Sequence, residues 1–187
     1  MNKIATCIAL FVFFAAGNIA SAQTQNIYIK ATDQSGRAIP GEVQAKAYGG
    51  DIAATSFGQD NSACAAGPGA CKPTMGHFIF NMTIDKSLIT LNQLLFTGNA
   101  MKTIDFIFVR NTGTGNAPVE FYRVHLELAS IVHITNAIDA SGAPTAQVEL
   151  AAVRSGWIYT PISPTGAPGA PVKFGWDSNG NAQWNSF

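Results

Sequence analysis

Gly169-Ala170-Pro171-Val172-Lys173-Phe174-Gly175-Trp176-Asp177 decides the reading of this chain, because it packs a proline entry, two aromatics and a glycine into one short strand-like segment. Proline is tolerated at a strand's first residue, Phe174 and Trp176 share one face of a period-2 element, and Gly175 lets another backbone come close. Val172, Phe174, Gly175 and Trp176 therefore read as a docked structural strand of the kind that closes a β-barrel or sandwich.

The segments before it carry the same period. Residues 145–160 read as a long strand, joined to the last one by the Pro/Gly-rich connection 161–171. Residues 102–110 and 118–136 read as antiparallel partners across the glycine-rich turn 111–116. Residues 77–84 alternate cleanly, with Phe78, Phe80, Met82 and Ile84 on one side. Residues 26–32 form a first strand ending in the turn signal Asp33-Gln34-Ser35-Gly36. Residues 41–48 read as a second strand, interrupted at Gly49-Gly50 and continuing weakly to Ser56, while 57–76, with Pro68, Pro73 and four glycines, read as a long exposed loop. Only 87–97 has helical spacing: Leu88, Leu91, Leu94 and Leu95 form a stripe, Asp85 or Ser87 is placed to cap it, and Gly98 ends it. The sum is a mainly β protein, an antiparallel barrel of six to seven strands with one lateral α-helix.

The N-terminus reads as a secretory signal. Lys3 precedes an apolar run over residues 4–16, and Ala20-Ser21-Ala22 supplies a cleavage site. That run of about 13 residues is shorter than the roughly 20 a membrane-spanning helix needs, and no later segment is long and apolar enough to span. Cys7 lies inside the run without the small residues a lipoprotein signal requires, which argues against a lipid anchor. The expected organisation is a signal peptide, 1–22, and a single domain, 23–187, exported to the periplasm or the medium. A chain of that size buries about 70% of its unfolded surface, enough for one real core. Losing Lys3 leaves ten basic against eleven acidic residues, a charge of −1 that argues against nucleic acid as a partner.

Two cysteines remain beyond the signal, Cys64 and Cys71, separated by Ala-Ala-Gly-Pro-Gly-Ala. In an oxidising compartment they are expected to pair, pinning a loop with about 2–3 kcal/mol. A metal site is the alternative, but two lone thiols do not complete a tetrahedral set.

Catalytic signatures are missing. There is no Gly-x-Ser-x-Gly elbow, His-Glu-x-x-His pair, P-loop or dinucleotide glycine pattern, and nothing implies a cofactor. Arg123, His125 and Glu127 alternate on one face of the long strand, opposite Val124, Leu126 and Leu128, with same-face neighbours about 6.8 Å apart. A His–Glu pair at that spacing suits acid–base chemistry or part of a metal site. His133, however, lies about 27 Å further along a straight strand, so the two histidines do not share a metal unless the strand bends back. The favoured reading is a polar face meeting water or a neighbouring subunit.

Several of these segments, in this order, resemble the haemolysin-coregulated protein (Hcp) family, tube proteins of bacterial type VI secretion. Residues 26–30 resemble the family's first strand. Ile84-Asp85-Lys86-Ser87 is similar to its Asp-Lys-Ser passage into a single helix, and 91–98 resembles that helix and its ending. Val119-Glu120-Phe121-Tyr122 through Ile131, Val148-Glu149-Leu150 through Tyr159-Thr160-Pro161, and Pro171-Val172-Lys173-Phe174-Gly175-Trp176 resemble the later strands. The resemblance implies a β-barrel with one lateral helix, hexameric rings with a central channel, and stacking into a tube, with spike, sheath and small effector proteins as partners and no catalytic residues. Arg123, His125 and Glu127 become a candidate channel or subunit-contact face. The signal and the Cys64/Cys71 loop depart from the family and motivate a second expectation, a protein exported by the general secretory route as a binding or structural module outside a tube.

Overall fold

The computed structural model describes residues 25–63, 72–111 and 118–187. The predicted signal peptide, Cys64 and Cys71, and most of the glycine-rich turn lie outside these residues.

The elements run β1 (Gln25–Thr32), β2 (Ala38–Ile39), β3 (Ile52–Ser62), β4 (Thr74–Thr83), α1 (Ser87–Thr97), β5 (Met101–Arg110), β6 (Val119–Ile138), β7 (Pro144–Tyr159), β8 (Val172–Asp177) and β9 (Ala182–Gln183). Six of them close a ring in the order β4-β3-β1-β5-β6-β7, with β7 pairing back onto β4, and every pairing in the ring is antiparallel. This is the mainly β, one-helix barrel expected. Its interior is filled by the inward residues of each strand, among them Ile29, Phe78, Phe80, Phe106, Leu126 and Leu150, all fully buried. Clean alternation in 77–84 holds for Phe78, Phe80 and Met82; Ile84 lies past the strand's end and is partly exposed.

The last strand does not close the barrel. One edge of β7 pairs with β4 through Thr145–Leu150 and with β8 through Arg154–Tyr159, so β8 extends that edge beyond the ring. β7 is long enough to need two partners in succession, and the ring is sealed by the first of them.

Two further expectations are overturned. Residues 41–48 are not a strand: the N–H groups of Gly41 and Val43 donate to Gly50 and Asp51, and those of Tyr48 and Gly50 to Ala45 and Val43, folding the segment on itself. Its alternating alanines offer little apolar area to reward a sheet. Residues 57–76 are not one long loop, since β3 continues to Ser62 and β4 begins at Thr74. Their ladder is bulged between Gln59 and Asn61, and a Cβ at Gly76 would lie 1.7 Å from the Asp60 carbonyl oxygen. The glycine that looks like a loop residue is a strand residue making room for a bulge.

Helix α1 begins where Asp85 Oδ1 accepts from the Ser87 N–H at 2.8 Å and ends at Gly98, whose φ of 68° is left-handed. Leu88, Leu91 and Leu94 enter the core. Among the described residues no helix is long and apolar enough to cross a membrane.

Candidate functional site

β6 places Arg123, His125 and Glu127 outside the barrel and Val124 and Leu126 inside it. Leu128 leaves the expected pattern. Its φ of 52° reverses the pleat, so it is exposed and Ala129 and Ile131 take the inner face instead. The polar run of Arg123, His125 and Glu127 ends at this reversal.

Register aligns four strands into one row: Asp105 on β5 faces His125 on β6, which faces Gly156 on β7, which faces Gly175 on β8. His125 Nδ1 lies 2.8 Å from Asp105 Oδ1, and its Nε2 lies 3.9 Å from Glu127 Oε1. Arg123 forks onto Glu120, Nε to Oε1 at 2.8 Å and Nη2 to Oε2 at 2.7 Å. Arg154 bridges Asp177, Nε to Oδ2 at 2.7 Å, and Glu127, Nη1 to Oε2 at 3.1 Å. Charge thus alternates along the outer face from Glu120 to Asp177, with each carboxylate beside a cation or imidazole.

These contacts shift titration in consistent directions. The hydrogen bond to Glu120 raises the Arg123 pKa, and those to Asp177 and Glu127 raise that of Arg154. The Gly180 N–H and then Arg154 hold the Asp177 carboxyl below its ordinary value.

The row of two glycines seats the C-terminal residues described. A Cβ on Gly156 would lie 2.5 Å from the Phe187 ring, and one on Gly175 would lie 2.1 Å from the Trp184 carbonyl oxygen. Phe187 and Trp184 stack beside His125, each ring centroid 6.0 Å away. Arg154 lies over Trp184 and Lys173 over Phe187. The His125 side chain is left 16% exposed. Rather than lying open to water, the predicted polar face is partly covered by the chain's own tail.

His133 stands apart, its Nε2 2.8 Å from Thr135 Oγ1. Among the described residues no group of three or more His, Cys, Asp or Glu is arranged to hold a metal.

The opposite side of β8 has a different chemistry. Phe174 stacks on Trp157 at 5.8 Å, and these two with Trp176 and Met75 line an open groove of about 300 Å³. The Trp157 indole N–H donates to Gln59 Oε1 at 3.0 Å, and the Ser155 hydroxyl to Met75 Sδ at 2.8 Å. Trp176 is half-buried and Phe174 is exposed.

Sequence reasoning missed Asp105, Glu120, Arg154, Asp177, Gly156 and the tail aromatics. Glu120 lies three residues before Arg123, a spacing the sequence displays; the others reach the site only through strand register.

A family model described as "Type VI secretion system effector, Hcp" matches residues 28–159. Among solved structures, one described as a type six secretion system protein superimposes with a TM-score of 0.73 at 17% identity, covering 86% of this chain and all of its own. Hcp1 from Salmonella typhimurium gives 0.68 at 18% identity, covering 86% and 99% of the two chains. The secreted protein Hcp3 from Pseudomonas aeruginosa gives 0.61 at 13%, covering 82% and 98%. No curated protein matches the sequence.

Proposed function

Because the chain belongs to the Hcp family of type VI secretion proteins, we propose that it is a non-enzymatic structural protein that assembles into hexameric rings, contributes to a secretion tube and carries small effectors. The match across 28–159, a span running from β1 to β7, carries this reading. Heterologous contacts around a closed ring require two different complementary faces, which a barrel with long strands and a lateral helix can supply. Spike, sheath and effector proteins are the partners such a role implies. Within the polar face, the Arg123–Glu120 end remains the part available for channel lining or subunit contact, because the tail lies over His125.

The experiment is concentration-dependent mass measurement of the purified protein with electron microscopy of the same sample. Six-fold rings with a central hole are expected. A monomer across the whole concentration range removes the ring and tube reading.

The secretory pattern of residues 1–22 favours a second reading, export by the general route to act as a periplasmic or extracellular binding or structural module. Intact mass of protein from cytoplasm, periplasm and medium separates the two. A chain starting at Gln23 supports general export, and extracellular protein still starting at Met1 supports loading from the cytoplasm.

A further inference from the structure

The glycine row under the tail is a built surface, and the two rings on it show what it accepts. Along the β7–β8 ladder Arg154 faces Asp177, Gly156 faces Gly175, and Ile158 faces Lys173. Residues two apart on a strand share a face, so the bare backbone of the glycines lies between Arg154 on one side and Lys173 on the other. Arg154 Cζ stands 5.7 Å from the Trp184 ring centroid, and Lys173 Nζ 5.2 Å from that of Phe187. His125, opposite Gly156 on β6, stacks on the same two rings at 28° and 7° from parallel. A ring reaches the sheet here because no Cβ stands in its way, and a cation flanks each ring face.

The strip is held in shape without the tail. Asp105 fixes His125 at 2.8 Å, and Arg154 is pinned between Asp177 and Glu127. These carboxylates are thereby already paired, so none calls for a basic ligand. The tail itself has no charged side chain from Ser178 to Phe187, and none of these residues is buried. From Asn181 onward its main chain is tied to β8 by the two-residue β9, by the Trp184 N–H donating to the Gly175 carbonyl at 2.8 Å, and by Lys173 Nζ donating to the Phe187 main-chain oxygen at 3.2 Å. A short ladder with no buried residue belongs to the low end of local stability, whereas the strip beneath it belongs to the long ladders of the barrel wall.

We propose that this strip is a peptide-recognition site on the outer wall of the barrel, that residues 181–187 are its resident ligand, and that it takes in their place a segment of another protein carrying a Trp and a Phe three residues apart. Preformed cations and bare backbone spare such a segment the cost of organising its site. The tethered tail competes at high effective concentration, so the site opens only to a partner that outbinds it.

The probe is a peptide with the sequence of residues 181–187, Asn-Ala-Gln-Trp-Asn-Ser-Phe, bearing fluorescein at its N-terminus. Trp184→Ala with Phe187→Ala in the full chain vacates the strip, and thermal melts confirm that the barrel folds. Fluorescence anisotropy is expected to show saturable binding to the vacated chain and binding to the intact chain weaker by about tenfold or more, because the tail competes there. Adding Lys173→Glu to the vacated chain, or replacing both peptide aromatics by Ala, is expected to weaken binding by roughly fivefold or more. No binding to the vacated chain, equal binding to the vacated and intact chains, or equal binding of the alanine peptide overturns the site. Hydrogen exchange on the intact chain tests displacement without any variant. The Trp184 amide is expected to exchange about tenfold or more faster than the ladder amides of β6 and β7. Exchange as slow as theirs makes the tail a fixed part of the fold and overturns its role as a displaceable ligand.

Discussion

At Gly175 the absence of a Cβ is a steric requirement, and at Gly156 it leaves room for an aromatic ring against the sheet. The backbone of Trp184 and the ring of Phe187 occupy the space a methyl group would take. Gly175→Ala is therefore expected to destabilise by about 1–3 kcal/mol, the usual cost of overpacking, and to loosen the tail. Chemical denaturation measures the first effect and protease sensitivity after Asp177 the second; unchanged values for both contradict the docking. Asp177 supplies a pH signature at the same place. Its pKa is lowered in the folded state, so its stabilisation is present above the ordinary carboxylate value and is lost as pH falls through the folded value. The difference in thermal midpoint between wild type and Asp177→Asn is expected to be largest near neutrality and to shrink below about pH 4. A difference independent of pH over thermal melts from 7 to 2 assigns the effect to shape, not charge.

Among the strands, burial separates a core aromatic from a peripheral one. Phe80 is fully buried and packs edge-on to Phe106 at 5.5 Å, so Phe80→Ala is expected to cost about 3–5 kcal/mol. Trp176 belongs to a strand outside the ring and is half-buried, so Trp176→Ala should cost clearly less. Equal losses on urea titration contradict the placement of β8 outside the barrel. Gly76→Ala tests the β3–β4 bulge. A methyl group there meets the Asp60 carbonyl, backbone that has no rotamer to escape into. A large loss of stability is expected from a position that sequence alone marks as loop.

For the whole molecule, most of the strands, the helix and most core faces were legible in the sequence, because alternation and helical spacing are local properties of a chain lying on one core. Phe78, Phe80 and Met82, the leucines of α1 and the outward set Arg123, His125 and Glu127 all follow from spacing. Where local pattern was thin, it misled. The alanines of 41–48 imitate a strand, and the glycines and bulges of 57–76 hide two strand ends. The candidate site was legible on one strand and illegible across four. Asp105 is 20 residues from His125, Arg154 is 27 from Glu127, and Phe187 reaches back over Gly156 and Gly175. By itself, then, the sequence determined a mainly β chain with one leucine-striped helix, an outward polar triplet and resemblance to the Hcp family. Tertiary structure alone decided that β4 seals the ring, that the tail covers His125, and that Trp157, Phe174 and Trp176 line one open groove. Pairing register joins residues distant in the chain through backbone hydrogen bonds that any side chain can make, so no local spacing encodes it.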